Sequence, residues 1–72
     1  MVKQIEIKSI PELQSIQKLA NSVDDPVSFH SLDGSVQIDA KSFIGLFTLD
    51  FSQPVLLVTD NAYVLEHVDE LL

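Results

Sequence analysis

The segment from Asp33 to Asp50 constrains the fold more than any other part of the chain, because its hydrophobic period changes within one short stretch. It opens with Asp33 and Gly34, a pair typical of a type I′ hairpin turn, in which both central residues need positive φ. Val36 and Ile38 then alternate with polar residues, the pattern of a strand with one buried face. After this strand the apolar residues leave no clean polar side. That pattern predicts a short helix that lies in a core or presents apolar side chains to a partner.

Length and composition indicate a single folded domain spanning residues 1–72, with a small core. An apolar fraction of 46% with only two glycines is typical of a globular domain and not of a disordered segment. The chain has no cysteine, so neither a disulfide framework nor a thiolate metal site is available. The first residues lack a signal-peptide pattern, and the apolar runs are short for a membrane span. We therefore expect a soluble, cytoplasmic protein.

The charge balance bears on the choice of partner. Eleven acidic residues are set against four lysines, with no arginine, and the formal net charge is −7. A surface of that sign repels phosphate backbones and anionic lipid headgroups, so we expect no nucleic-acid partner and no membrane partner. The same acidic balance also keeps cytosolic proteins in solution, and by itself it identifies no ligand.

The amino-terminal third predicts a strand followed by a helix. Ile5 and Ile7 alternate with polar residues and predict a strand whose odd positions are buried. The segment from Ser9 to Glu12 has a capping-box pattern with a proline in the first turn, which predicts a helix start. The apolar residues that follow fall at helical spacing and predict its buried stripe: Leu13, Ile16, Leu19, Ala20 and Val23. The acidic pair and proline at 24–26 predict that this helix ends near Ser22.

The central third predicts a hairpin and a second helix. Val27 and Phe29 alternate with polar residues and predict a strand that pairs with the strand after the glycine turn. Asp39, or alternatively Ala40, would then precede a short helix from about Lys41 to Thr48.

The carboxyl-terminal third predicts a last strand, Val55 to Thr59, opened by Pro54, and a last helix with Asp60 as its N-cap. The apolar stripe of that helix comprises Val64, Leu65, Val68, Leu71 and Leu72. The order strand, helix, strand, strand, helix, strand, helix predicts an α+β open-faced sandwich. We expect a four-stranded antiparallel sheet with three helices on one face.

The residue types that carry catalysis or bind metals are sparse. His30 and His67 are the only imidazoles, and neither has metal-ligand spacing to the other or to clustered carboxylates. The serines have no histidine nearby in sequence to act as a base, and the chain has no glycine-rich phosphate loop. We therefore expect no enzymatic activity, no metal and no cofactor.

The predicted helix from Lys41 offers two features of interest. Ser42 lies in its first turn, where the positive end of the helix dipole tolerates an added phosphate, although an ordinary first-turn serine would look the same. If the leucines of this helix face the sheet, Phe43 and Phe47 lie four residues apart on a neighbouring stripe, at the rim or in solvent. Exposed aromatic pairs mark partner sites, and the alternative is that both rings fold over the sheet edge as extra core.

Residues 33–36 and 40–46, followed by Leu49, resemble the central signature of HPr, the phosphocarrier of the bacterial sugar phosphotransferase system. In that family a glycine turn and a strand lead to a Lys-Ser-Ile-x-Gly-like helix start, and the predicted element order is that of the HPr fold. The resemblance implies that Ser42 is the candidate phosphorylation site, at the position modified by HPr kinase. It also implies an apolar docking face formed by Phe43, Ile44 and Phe47.

The chain departs from the family pattern at the site of phosphate transfer. HPr proteins carry their phosphate on a histidine in a Gly-x-His-x-Arg-Pro-Ala loop, whereas residues 8–13 contain neither histidine nor arginine. The resemblance therefore implies a degenerate, non-catalytic regulatory or protein-binding module. Its expected partner is a protein, either a transcriptional regulator or a kinase acting on Ser42. The alternatives are a phosphocarrier with its nucleophile relocated to His30, and an HPr-fold protein of unrelated function.

Overall fold

A computed structural model of the chain describes residues 1–42 and 50–72. Their order in the chain is β1 (Val2–Ile5), α1 (Ile10–Asn21), β2 (Val27–His30), β3 (Gln37–Asp39), β4 (Val55–Thr59), α2 (Ala62–His67) and a 3₁₀ helix (Val68–Leu71). The strands form one antiparallel sheet in the order β1-β4-β2-β3. The protein therefore has the predicted α+β architecture with a four-stranded antiparallel sheet, and the described ranges contain two α-helices. The helix predicted from about Lys41 to Thr48 lies almost wholly outside them.

One face of the sheet carries the core. Phe29 of β2 lies opposite Leu57 of β4, and both side chains are fully buried, while their neighbours along each strand are half-buried. The helices bury their own apolar residues in the same cluster: Leu13, Ile16, Ala20, Val64 and Val68. Because strand residues alternate between the two faces, both described α-helices cover one face of the sheet.

Helix α1 has the bounds that the sequence predicts. Ser9 is its N-cap with extended backbone, and Ser22 is its C-cap, whose amide donates to the carbonyl oxygens of Leu19 and Lys18. Ile16 is completely buried, whereas Leu19 is only half-buried and packs against the edge of the core. The predicted apolar stripe is therefore confirmed, with Ile16 at its centre.

The predicted type I′ turn at Asp33 and Gly34 is wrong. Gly34 has a φ of 75°, but no other residue in the described ranges has positive φ, and a type I′ turn needs two such residues. The Gly34 amide instead donates to the carbonyl oxygen of Ser31 at 2.9 Å, and the Ser31 amide donates to that of Val36 at 2.9 Å. The loop is thus longer than two residues, and the glycine follows the turn instead of forming its centre.

The predicted N-cap of the last helix is also wrong. The Asn61 side chain, and not that of Asp60, accepts the Val64 amide at 3.0 Å. The Asp60 carboxylate instead accepts from the amino-terminal ammonium of Met1 at 2.9 Å, because β1 pairs with β4 and brings the two residues together. The last helix ends at His67, and the chain continues as the 3₁₀ helix. Of the predicted apolar stripe, Val64 and Val68 are fully buried, whereas Leu72 is 40% exposed because it lies beyond both helical segments.

Strand β1 ends before the second of the two isoleucines that predicted it. Ile5 and Ile7 are both buried as predicted, although the strand itself ends at Ile5. Lys3 lies two residues before Ile5 and therefore shares its face of the sheet, towards the helices, where the Lys3 Nζ bonds to the Asp69 carboxylate and the Leu65 carbonyl oxygen. This side chain ties an edge strand to the carboxyl-terminal helical segment.

Candidate functional site

The segment from Lys8 to Glu12, at which the HPr resemblance would place the carrier loop, caps α1. The Ser9 Oγ accepts the Glu12 amide at 3.3 Å. The Glu12 carboxylate accepts the amide of Lys8 at 2.7 Å, one residue earlier than a standard capping box would have it. No histidine in the described ranges hydrogen-bonds to Ser9, so the hydroxyl has no visible base to activate it. The hydrogen bonds described for this segment are those of a helix cap.

The turn from Asp39 to Ser42 leads out of β3. The Asp39 Oδ1 accepts the Lys41 amide at 2.9 Å, and the Asp39 carbonyl oxygen accepts the Ser42 amide at 3.2 Å. Ala40 is fully buried, and its amide donates to the Val27 carbonyl oxygen at 2.9 Å. The Asp39 side chain and carbonyl oxygen therefore hold the backbone that follows in a turn, and Ser42 is exposed at its end.

Lys41 is bonded to α1 and to the loop after it. Its Nζ donates to the carbonyl oxygen of Val23 at 2.8 Å. Its own carbonyl oxygen accepts from the side-chain amides of Gln17 at 3.4 Å and Asn21 at 3.3 Å. The ammonium that the sequence places beside Ser42 is thus directed at the end of α1, where a positive charge is favourable.

The remaining predicted site residues, Phe43, Ile44 and Phe47, lie outside the described residues. Their exposure and their use in docking stay predictions. Of the proposed phosphorylation and docking site, the described ranges contain only Ser42 and the turn that precedes it.

The two histidines belong to separate surroundings. His30 is half-buried at the end of β2, beside Gln37 of β3 and Leu56 of β4. The His67 ring stacks on Tyr63 at a centroid distance of 4.1 Å, and its Nδ1 lies 2.8 Å from the Tyr63 carbonyl oxygen. Because a carbonyl only accepts, that nitrogen carries a proton. Within residues 1–42 and 50–72 no group of three or more His, Cys, Asp or Glu side chains is arranged to hold a metal ion.

The carboxylates of Asp33 and Asp50 line a cavity of about 330 Å³ between the β2–β3 loop and the loop before β4. The sequence suggested neither of them as a site residue. Hydrogen bonds from the Ser31 hydroxyl and from the Ser35 amide and hydroxyl lower the pKa of Asp33 to about 2. Bonds from the hydroxyl and amide of Ser52 lower the pKa of Asp50. General acid–base catalysis is most efficient when the pKa of the group lies near the working pH, and both of these shifts lead away from neutral pH.

No protein-family model matches the chain, and no curated protein matches it. The HPr resemblance therefore depends on the residues of the signature and on the order of the elements. In the ranges that the structure describes, no helix has the length and apolar character needed to cross a membrane.

Proposed function

We propose that this protein is a non-catalytic, HPr-like regulatory or protein-binding module without histidine phosphocarrier activity. Two features support the relationship: the signature at residues 33–36 and 40–46, and an element order compatible with the HPr fold. The proposed partner is a protein, either a transcriptional regulator or a kinase that modifies Ser42.

The observation that carries the proposal is the capped amino terminus of α1. A phosphate at this position would need backbone amides and positive charge around it. Here the Glu12 amide is bonded to the Ser9 hydroxyl, and the Lys8 amide is bonded to the Glu12 carboxylate. The Glu12 carboxylate thus accepts a hydrogen bond from the Lys8 amide, which would then not be free to bind a phosphate. The negative charge of Glu12 would also repel the phosphate.

The turn at Asp39 supports a regulatory role for Ser42. The Ser42 side chain is exposed, which a kinase requires of its substrate. A phosphate would add nearly two negative charges at the start of the segment that carries Phe43, Ile44 and Phe47. It would strengthen contact with a basic partner and weaken contact with an acidic one.

The relocated-carrier alternative depends on His30. The neighbours of His30 across the sheet are Gln37 and Leu56, and neither supplies a positive charge to hold a phosphate. This arrangement disfavours His30 as a phosphate carrier.

The test of lost carrier activity is incubation with phosphoenolpyruvate and enzyme I of the phosphotransferase system, followed by intact-mass analysis in alkali, which preserves phosphohistidine. We expect no gain of phosphate. A gain that disappears in His30→Ala would establish the relocated carrier instead.

The test of docking uses immobilised protein and cytosol from the native cell. Proteins retained by the unmodified chain should be lost with Phe43→Ala and Phe47→Ala, and changed with Ser42→Asp. Tyr63→Ala is the matched control, since Tyr63 is an aromatic residue of α2 that is 52% exposed. Equal loss with Tyr63→Ala, or retention by both phenylalanine variants at unchanged stability, would reject the proposed surface.

A further inference from the structure

The face of the sheet opposite the described helices carries a mixed apolar and polar surface. In register across the strands, one row runs Val2, Val58, Ser28 and Asp39, and the next runs Gln4, Leu56, His30 and Gln37. We call these eight residues the open face. Its apolar patch consists of Val2, which is 61% exposed, and the half-buried Leu56 and Val58.

Acidic side chains border this patch at one end. Asp39 terminates the first row, and Asp25 and Asp60 line a cavity of about 280 Å³ together with Pro26, Ser28 and Val58. The amino-terminal ammonium, bonded to Asp60, supplies a single positive charge there. The border of the patch therefore carries net negative charge.

Three of the four lysines do not neutralise that border. Lys3 is bonded to Asp69 on the helix side of the sheet, and Lys41 is bonded to the Val23 carbonyl oxygen beyond the end of α1. Lys18 is an exposed residue of α1. The charge of the open face thus agrees in sign with the net charge of −7 for the whole chain.

We propose that the open face docks a basic, amphipathic helical segment of a partner protein. Apolar side chains of that helix would cover Val2, Leu56 and Val58, and its lysines or arginines would lie near Asp25, Asp39 and Asp60. A helix suits the site because helices pack on the faces of sheets, whereas added strands pair at their edges. Four strands spaced about 4.8 Å apart also offer a width that one or two helices can cover.

Charge excludes the other obvious occupants. A second copy of this chain would bring two acidic borders together, and like charges across an interface are unfavourable. Nucleic acid and anionic membranes are repelled by the same carboxylates. The open face shares only Asp39 with the turn that precedes Ser42, and it contains none of the proposed phosphorylation and docking residues, so either proposal can fail without the other.

The test uses the whole chain and a synthetic amphipathic peptide of leucine and lysine, roughly four helical turns long, with a scrambled peptide of identical composition. We expect saturable binding by the amphipathic peptide, with amide chemical-shift changes centred on Leu56 and Val58. Leu56→Ser with Val58→Thr should weaken binding by about tenfold or more, because the apolar contact is lost. Asp39→Asn with Asp60→Asn should weaken it and reduce its dependence on salt.

The matched control is Glu66→Gln with Glu70→Gln, which removes the same charge from exposed positions in the carboxyl-terminal helical segment. Its affinity should stay within about twofold of that of the unmodified chain. Equal binding of the two peptides, equal weakening by the two double acidic variants, or shifts centred on α1 and α2 would each overturn the proposal. Self-association that buries the open face, detected by sedimentation and the same chemical shifts, would also overturn it.

Discussion

The ammonium nitrogen of Lys41 lies 2.8 Å from the carbonyl oxygen of Val23, so the turn that follows β3 is bonded to the loop that follows α1. The Lys41 carbonyl oxygen accepts two further bonds, from Gln17 and Asn21 of α1. Three hydrogen bonds thus connect one residue to the end of one helix. They position the backbone from which Ser42 and the segment beyond it begin.

Replacing Lys41 by Met keeps the length of the side chain and removes its charged donor. We expect a loss of about 1 kcal/mol in the free energy of unfolding, because the Val23 carbonyl loses its partner at a half-buried position. Urea denaturation measures this loss. Lys18→Met is the control, since Lys18 is exposed on α1, and it should change stability by less than about 0.5 kcal/mol. Equal effects of the two variants would show that the bond to Val23 contributes nothing.

Replacing Ile16 by Ala should destabilise the protein by about 2 to 5 kcal/mol, because the side chain is completely buried at the centre of the α1 stripe. Ile10→Ala, in the first turn of the same helix, removes the same atoms from a residue that is 54% exposed. Its effect should stay within about 0.5 kcal/mol. A loss below that limit for Ile16→Ala in chemical denaturation would contradict the core described above.

Replacing Ser9 by Ala removes the acceptor for the Glu12 amide. We expect a loss of about 1 kcal/mol, the usual cost of deleting an N-cap side chain. Ser9→Asp restores an acceptor and should recover most of the stability. If Ser9→Ala and Ser9→Asp unfold at the same urea concentration as the unmodified chain, the cap has no energetic role.

The Asp33 carboxylate should make stability depend on pH in acid. Its pKa falls from the ordinary value of 3.8 to about 2 in the folded protein, through bonds from Ser31 and Ser35. The folded state thus favours the charged form, and the stabilisation is present above about pH 4 and is lost as the pH falls towards 2. In the Asp33→Asn variant, the urea concentration at which half of the protein is unfolded should therefore fall less steeply over this pH interval than in the unmodified chain.

The matched control for that experiment is Asp24→Asn, an exposed carboxylate in the loop after α1. It should leave the slope of the unmodified chain unchanged. A carboxyl titration of Asp33 by NMR with a midpoint near its ordinary value would contradict the hydrogen-bonded arrangement.

Local patterns predicted the elements that depend on neighbouring residues. Ser9 and Glu12 lie three positions apart, and the cap that they form needs only one turn of backbone. Phe29 and Ile16 were placed in the core by periods of two and 3.6 residues, because alternation decides which side of an element each residue occupies. The same patterns failed at the Asp33–Gly34 turn, where the loop is longer than two residues, and at Asp60, where the neighbouring Asn61 is a competing acceptor.

The candidate site also combines features that local patterns predict with contacts between distant residues. Ser42 is exposed after the turn at Asp39, and the helix whose first turn the sequence predicts there lies almost wholly outside the described residues. The bonds from Lys41 to Val23 and from Asn21 to Lys41 join residues about twenty positions apart. No local pattern carries that information, since such pairs form only after α1 and the hairpin pack together.

By itself, the sequence determined the α+β class, the four strands, the bounds of α1 and the buried faces of α1 and β2, because these follow from the spacing of side chains along the backbone. Only the tertiary structure decided that β4 lies between β1 and β2. That pairing brings Val2 beside Val58 on the open face and draws Asp60 to the amino terminus, which leaves Asn61 to cap α2. Strand order depends on contacts between residues that are distant in the sequence. Such contacts can engage a side chain, as at Asp60, to which a local pattern assigns a different partner.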